Sequence, residues 1–79
     1  MRIGQRWRMD MRKLVGRNLR RIRKEKRLTQ EEFADRSGFS QQYLSGLERG
    51  ERNPTIVTLY ELASALGVGV IDLIKSGKR

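Results

Sequence analysis

The sequence contains neither cysteine nor histidine. Without cysteine there is no disulfide framework and no thiolate ligand for a metal. Without histidine, nucleophile–histidine triads and the common metal-hydrolase sites are excluded by residue type. Proline occurs once, at Pro54, and aromatic residues make up 6% of the chain. No apolar run approaches the ~18 residues of a membrane helix, and the basic N-terminus lacks the apolar stretch of a signal peptide. There is no internal repeat or low-complexity tract. These absences lead us to expect a cytoplasmic protein, with no membrane association, catalytic residue, cofactor or metal.

Acidic residues are scarce in one region only. Residues 1–28 hold twelve Lys or Arg against two acids, and residues 29–79 hold six against seven, for a net charge of +9. A basic excess gathered in the first third suits a polyanion, with counterion release as the driving term. A solubilising surface is the alternative for any single arginine. Seventy-nine residues allow one small domain, whose core is marginal unless well packed or shared with a partner chain.

The chain is organised around Thr29 to Gly50. Thr29 is a good N-cap, and Glu32 three residues later completes a capping box. Glu31 and Glu32 sit in the first turn, where the helix dipole favours acids. Adjacent on a helix, they do not converge as an acid–base pair. This helix runs to about Ser37, and Gly38 ends it in a left-handed conformation. Ser40 caps a second helix from Gln41 to near Arg49, stopped by Gly50. Phe33, Ala34, Leu44 and Leu47 face inward. Gln41, Gln42, Ser45 and Gly46 are left on the outer face, where glutamine suits bidentate bonding to adenine in a major groove. Gly46 removes one side chain from that face and costs about 1 kcal/mol of helix propensity.

The order Gln30, Ala34, Gly38, Leu44, Leu47 has the spacing of a helix-turn-helix. The longer run from Ile22-Arg23 through Leu28-Thr29-Gln30 to Leu47-Glu48-Arg49-Gly50, with Pro54, resembles the Cro/repressor (XRE) family of DNA-binding regulators over roughly residues 15–74. Within that family, the run from Tyr43 to Asn53 in so short a chain also looks like the controller proteins of restriction–modification operons. The resemblance implies an all-α, five-helix, lambda-repressor-like domain. It implies that Arg23 pairs with Glu48 and helps hold a DNA phosphate, and that Gln30 contacts a phosphate at its helix N-terminus or helps cap it. It also favours a homodimer through the C-terminal end.

Residues 1–9 read as a basic arm. Arg2, Arg6 and Arg8 either lie along phosphates, enter a minor groove or belong to a loose terminus, and Trp7 either docks on the domain or stays mobile. The domain spans residues 10–76. Asp10 caps a first helix that runs to about Lys26, with Met11, Leu14, Val15, Leu19 and Ile22 as its apolar stripe. Lys13, Arg17, Arg20, Lys24 and Arg27 fall on the opposite face, read mainly as solvated. Tyr43 either donates to a phosphate or packs on the first helix. Arg49, Arg52 and Asn53 in the following loop are placed for the sugar-phosphate backbone.

Thr55 caps a fourth helix, Ile56 to Leu66, buried through Ile56, Leu59, Leu62, Ala63 and Leu66. A last helix runs from Val70 or Ile71 to about Ser76. Val68, Val70, Ile71, Leu73 and Ile74 exceed the apolar surface that so short a helix can bury; they either close the bottom of the core or leave Val70, Ile71 and Ile74 as the candidate dimer interface. Residues 77–79 form a short basic tail.

The expectation is a regulator of transcription, acting as a repressor on double-stranded DNA. A homodimer would place two recognition helices ~34 Å apart on an inverted-repeat operator. The alternatives are an antitoxin that binds a toxin partner and autoregulates its operon, and an RNA-binding or general nucleic-acid-binding protein acting through the N-terminal arginines.

Overall fold

Short-range signals set where the helices begin and end. The computed structural model describes residues 11–76. The basic arm with Arg2, Arg6, Trp7 and Arg8, the Asp10 cap and the 77–79 tail lie outside the described residues. Five α-helices follow one another: α1 (Met11–Glu25), α2 (Gln30–Ser37), α3 (Gln41–Glu48), α4 (Ile56–Leu66) and α5 (Val70–Ile74). The fold is all-α, as expected.

The caps are chemical. Thr29 Oγ1 accepts from the Glu32 N–H at 3.0 Å while the Thr29 N–H donates to Glu32 Oε1 at 2.8 Å, a complete capping box. Ser40 Oγ accepts from the Tyr43 N–H at 3.0 Å, and Thr55 Oγ1 from the Thr58 N–H at 3.1 Å. Gly38, Gly50 and Gly67 close α2, α3 and α4 at φ of 84°, 78° and 74°.

The end of α1 differs from expectation. It stops at Glu25, and Arg27 adopts φ of 61° although it is not glycine. The Arg27 N–H reaches the Lys24 carbonyl at 2.9 Å and the Leu28 N–H reaches the Arg23 carbonyl at 3.1 Å. This is a Schellman closure with arginine in the position glycine usually takes. Arg27 therefore belongs to the turn, not to the outer face of α1.

The core joins Val15, Leu19 and Ile22 of α1 to Phe33, Leu44 and Leu47 of the central pair. Leu59, Leu62, Ala63 and Leu66 of α4 and Leu73 of α5 complete it. Helix α1 packs on α3 and α5, α2 on α3 and α4, and α4 on α5. Gly16 permits the α1–α3 crossing, because a β-carbon there would stand 2.5 Å from the Leu47 carbonyl oxygen and 2.8 Å from that of Glu48.

Two apolar expectations are corrected. Ile56 has the helical phase of the α4 core face, yet it is 65% exposed because α4 extends one turn past the packed core. Met11, at the first turn of α1, is likewise exposed. With Val57 and Tyr60, Ile56 forms an uncovered apolar flank of α4. The last helix ends at Ile74, two residues short of the expected Ser76. Asn18, buried in α1, explains that end: its Nδ2 donates to the carbonyls of Leu73 and Lys75, both at 2.9 Å. Its Oδ1 accepts from Arg21 at 3.1 Å.

Candidate nucleic-acid interface

The C-terminal end of α3 is locked in place by a buried charge network. Arg23 Nε donates to Glu48 Oε2 at 2.7 Å, and Arg23 Nη2 donates to Glu48 Oε1 at 3.0 Å. Their side chains are only 10% and 4% exposed, so the fork-on-fork pair is largely desolvated. Arg23 Nη1 also donates to the Leu28 carbonyl at 2.8 Å, and Gln30 Nε2 donates to Glu48 Oε1 at 3.0 Å. One carboxylate thus ties α1, the α1–α2 turn, the start of α2 and the end of α3. Removing Glu48 alone would strand a mostly buried guanidinium, a defect of about 3–5 kcal/mol. Gln30 serves this network through its amide nitrogen; its place as the first residue of α2 still sets it among the unpaired N–H groups of that terminus.

From this anchor α3 projects its N-terminal end outward. Gln41 and Gln42 are exposed, and with Gln30, Ser45 and Arg49 they line one shallow face. Ser45 Oγ accepts from Arg49 Nη1, and Arg49 Nη2 donates to Glu51 at 3.0 Å. That hydrogen bond and charge hold the Glu51 carboxyl below its usual pKa and raise that of Arg49. Both side chains are exposed to solvent.

The other flank of α3 is built differently. The Arg52 guanidinium carbon lies 5.4 Å from the Tyr43 ring centroid, and the Tyr43 ring lies 5.4 Å from that of Phe39. Tyr43 is half-buried and also packs against the core, so packing accounts for its ring. Arg52 continues across Gly46, where a β-carbon would meet its Nε at 3.0 Å and its Cγ at 3.2 Å. Gly46 is therefore buried under Arg52, and its expected place on the outer face is corrected. Asn53 is exposed but sits elsewhere, beside Met11, Arg12, Pro54 and Ile74.

Of the candidate dimer residues, Ile71 is 64% exposed, whereas Val70 and Ile74 are half-buried against the core. Phe39, the residue before the Ser40 cap, packs its ring against Tyr43 and is a site residue that sequence reading missed; an apolar residue just ahead of an N-cap was the available signal. Among the described residues no helix is long and apolar enough to cross a membrane.

Two short capped helices around a glycine turn, the second held by a buried ion pair and presenting amides, define a helix-turn-helix regulator that binds DNA. Comparison with known proteins agrees. Residues 19–73 match the family described as helix-turn-helix. The chain is 71% identical over 66 residues to the uncharacterized HTH-type transcriptional regulator y4dJ of Sinorhizobium fredii, covering 84% of this chain and 86% of that protein. It is 40% identical over 60 residues to the immunity repressor protein of Bacillus phage phi105, covering 76% of this chain but only 42% of that longer protein. The crystal structure of the restriction–modification controller protein C.AhdI from Aeromonas hydrophila superposes with a TM-score of 0.76 at 38% identity, covering 80% of this chain and 96% of that one. The chain belongs to the Cro/repressor (XRE) family of helix-turn-helix transcriptional regulators, a family of DNA-binding proteins rather than enzymes.

Proposed function

We propose that this regulator is a cytoplasmic repressor that binds an inverted-repeat operator as a homodimer. The observation that carries the reading is the pair Gln41–Gln42, exposed at the outer end of a helix whose inner end is fixed by Arg23, Gln30 and Glu48. Such a helix enters a major groove with its amides toward base edges. Ser45, one turn on and half-buried, supports that contact from the same face. Gln30, Arg49 and Arg52 take backbone phosphates beside α3, with the remaining donors of Arg23 behind them and the Tyr43 hydroxyl available beside Arg52, while Asn53 takes a phosphate farther out, on the side of Arg12. Gly46, covered by the Arg52 stem, adds no contact of its own. The likeness to a protein named as an immunity repressor supports the regulatory sign. Among the described residues no geometric feature favours the antitoxin alternative over it.

Replacing Gln41 and Gln42 by alanine tests base reading. Discrimination against mismatched sites falls by about 1–3 kcal/mol per lost contact while folding is retained; unchanged discrimination defeats the assignment. For the dimer, Ile71 is the exposed apolar residue of α5, with Val70 and Ile74 beside it. Ile71→Glu should give monomers in sedimentation, and a persistent dimer would move the interface elsewhere.

A further inference from the structure

The outward face of α1 carries charge that the α3 interface does not use. Lys13, Arg17, Arg20 and Lys24 recur at helical spacing over about 16 Å, and all four are exposed. Among the described residues none of these four forms an ion pair, whereas neighbouring Arg21 reaches Glu25 only loosely, at 3.4 Å. Together with Leu14 and Ser76, residues Arg17, Arg20, Arg21 and Lys24 line a shallow groove of about 560 Å³. Like charges three and four apart oppose helix formation. A surface that needs only solubility is better served by mixed signs.

We propose that this face is a second phosphate-binding surface for duplex DNA, distinct from α3. The proposal rests on the DNA-binding reading of the chain. The groove fits phosphate rather than an acidic protein, because it holds three guanidiniums and a single partly exposed apolar residue, Leu14. Protein partners need buried apolar anchors, and guanidiniums take phosphate oxygens in pairs. It fits duplex rather than single strands, because among the described residues no aromatic side chain lines it for bases to stack on. The face is also continuous with the α3 region. The Lys13 backbone and stem border Gly50, the residue after Arg49, closely enough that a β-carbon on Gly50 would meet Lys13 Cγ at 2.9 Å. The phosphates belong either to the flanks of the bound site or to a second duplex.

The test is the full chain carrying Arg17→Gln, Arg20→Gln and Lys24→Gln. These residues accept substitution, being exposed and outside the side-chain hydrogen bonds of the described residues, and glutamine keeps helix propensity. Thermal unfolding checks the fold, and the single variant Arg20→Glu repeats the test with one change. Binding is measured from ~50 to ~200 mM salt on three probes: a duplex limited to the selected site, the same site with long flanks, and a labelled second duplex captured on immobilised site-bound protein. The expected result is a salt slope lower by roughly two to three and affinity reduced about tenfold or more. A loss confined to the flanked probe assigns the phosphates to the flanks; a loss of capture assigns them to a second duplex. Slopes, affinities and capture equal to wild type on all three probes overturn the proposal. Loss of slope in the triple variant alongside wild-type protein that enriches no sequence would overturn the α3 reading and leave this one standing.

Discussion

Arg52 lies across the Tyr43 ring, its guanidinium carbon 5.4 Å from the ring centroid, and its stem covers Gly46. A loop arginine is thereby held against α3. Arg52→Ala should weaken binding to every duplex sequence alike and lower the salt slope by about one. Tyr43→Leu, which removes the aromatic face but keeps a core-facing side chain, should reproduce part of the affinity loss without the change in slope. Titrations at several salt concentrations check both.

Gly16 and Gly46 predict opposite signs for the same substitution. Gly16→Ala drives a β-carbon into the fixed backbone of Leu47 and Glu48, so the melting temperature should fall, with about 1–3 kcal/mol lost despite better helix propensity. Gly46→Ala meets only the flexible Arg52 side chain, which can shift. Stability should rise by up to about 1 kcal/mol, while duplex affinity falls because Arg52 leaves Tyr43.

Asn18 holds the end of α5 through the Leu73 and Lys75 carbonyls. Asn18→Leu should cost about 1–3 kcal/mol by leaving the buried Leu73 carbonyl without its side-chain donor. Amide exchange should rise first in α5, whose residues carry the candidate dimer surface. Uniform loss of protection would show instead that Asn18 acts through the whole core.

Arg27 occupies a left-handed position at φ of 61°. Arg27→Gly should raise stability by roughly 0.5–1 kcal/mol, since an L side chain is disfavoured there by about 1–2 kcal/mol and glycine gives back part of this in unfolded-state entropy. Chemical denaturation with an unchanged m-value is the check.

Local signals made most of the fold legible. Thr29, Ser40 and Thr55 start helices, and Gly38, Gly50 and Gly67 stop them, through contacts within a few residues. The Arg23–Glu48 pair came from the resemblance, because no spacing rule joins residues 25 apart. What escaped was decided over distance or at edges. Asn18 reads as an indifferent polar residue in α1 until α5, 55 residues on, is folded against it. Ile56 keeps the helical phase of Leu59 and Ala63, but phase does not say where neighbouring helices stop. Gly46 looked exposed because nothing local shows that Arg52 folds back over it. Arg27 hid its turn because arginine carries no turn signal.

The measurement that bears most directly on the central claim is selection of bound duplexes from a random pool at ~150 mM salt, run in parallel on wild type and on Gln41→Ala with Gln42→Ala. We expect wild type to enrich an inverted repeat with half-sites about one helical turn, ~34 Å, apart, and the double variant to lose information at the positions those amides read. Binding without an enriched repeat, or the same repeat enriched by both proteins, would contradict the placement of α3 in the major groove.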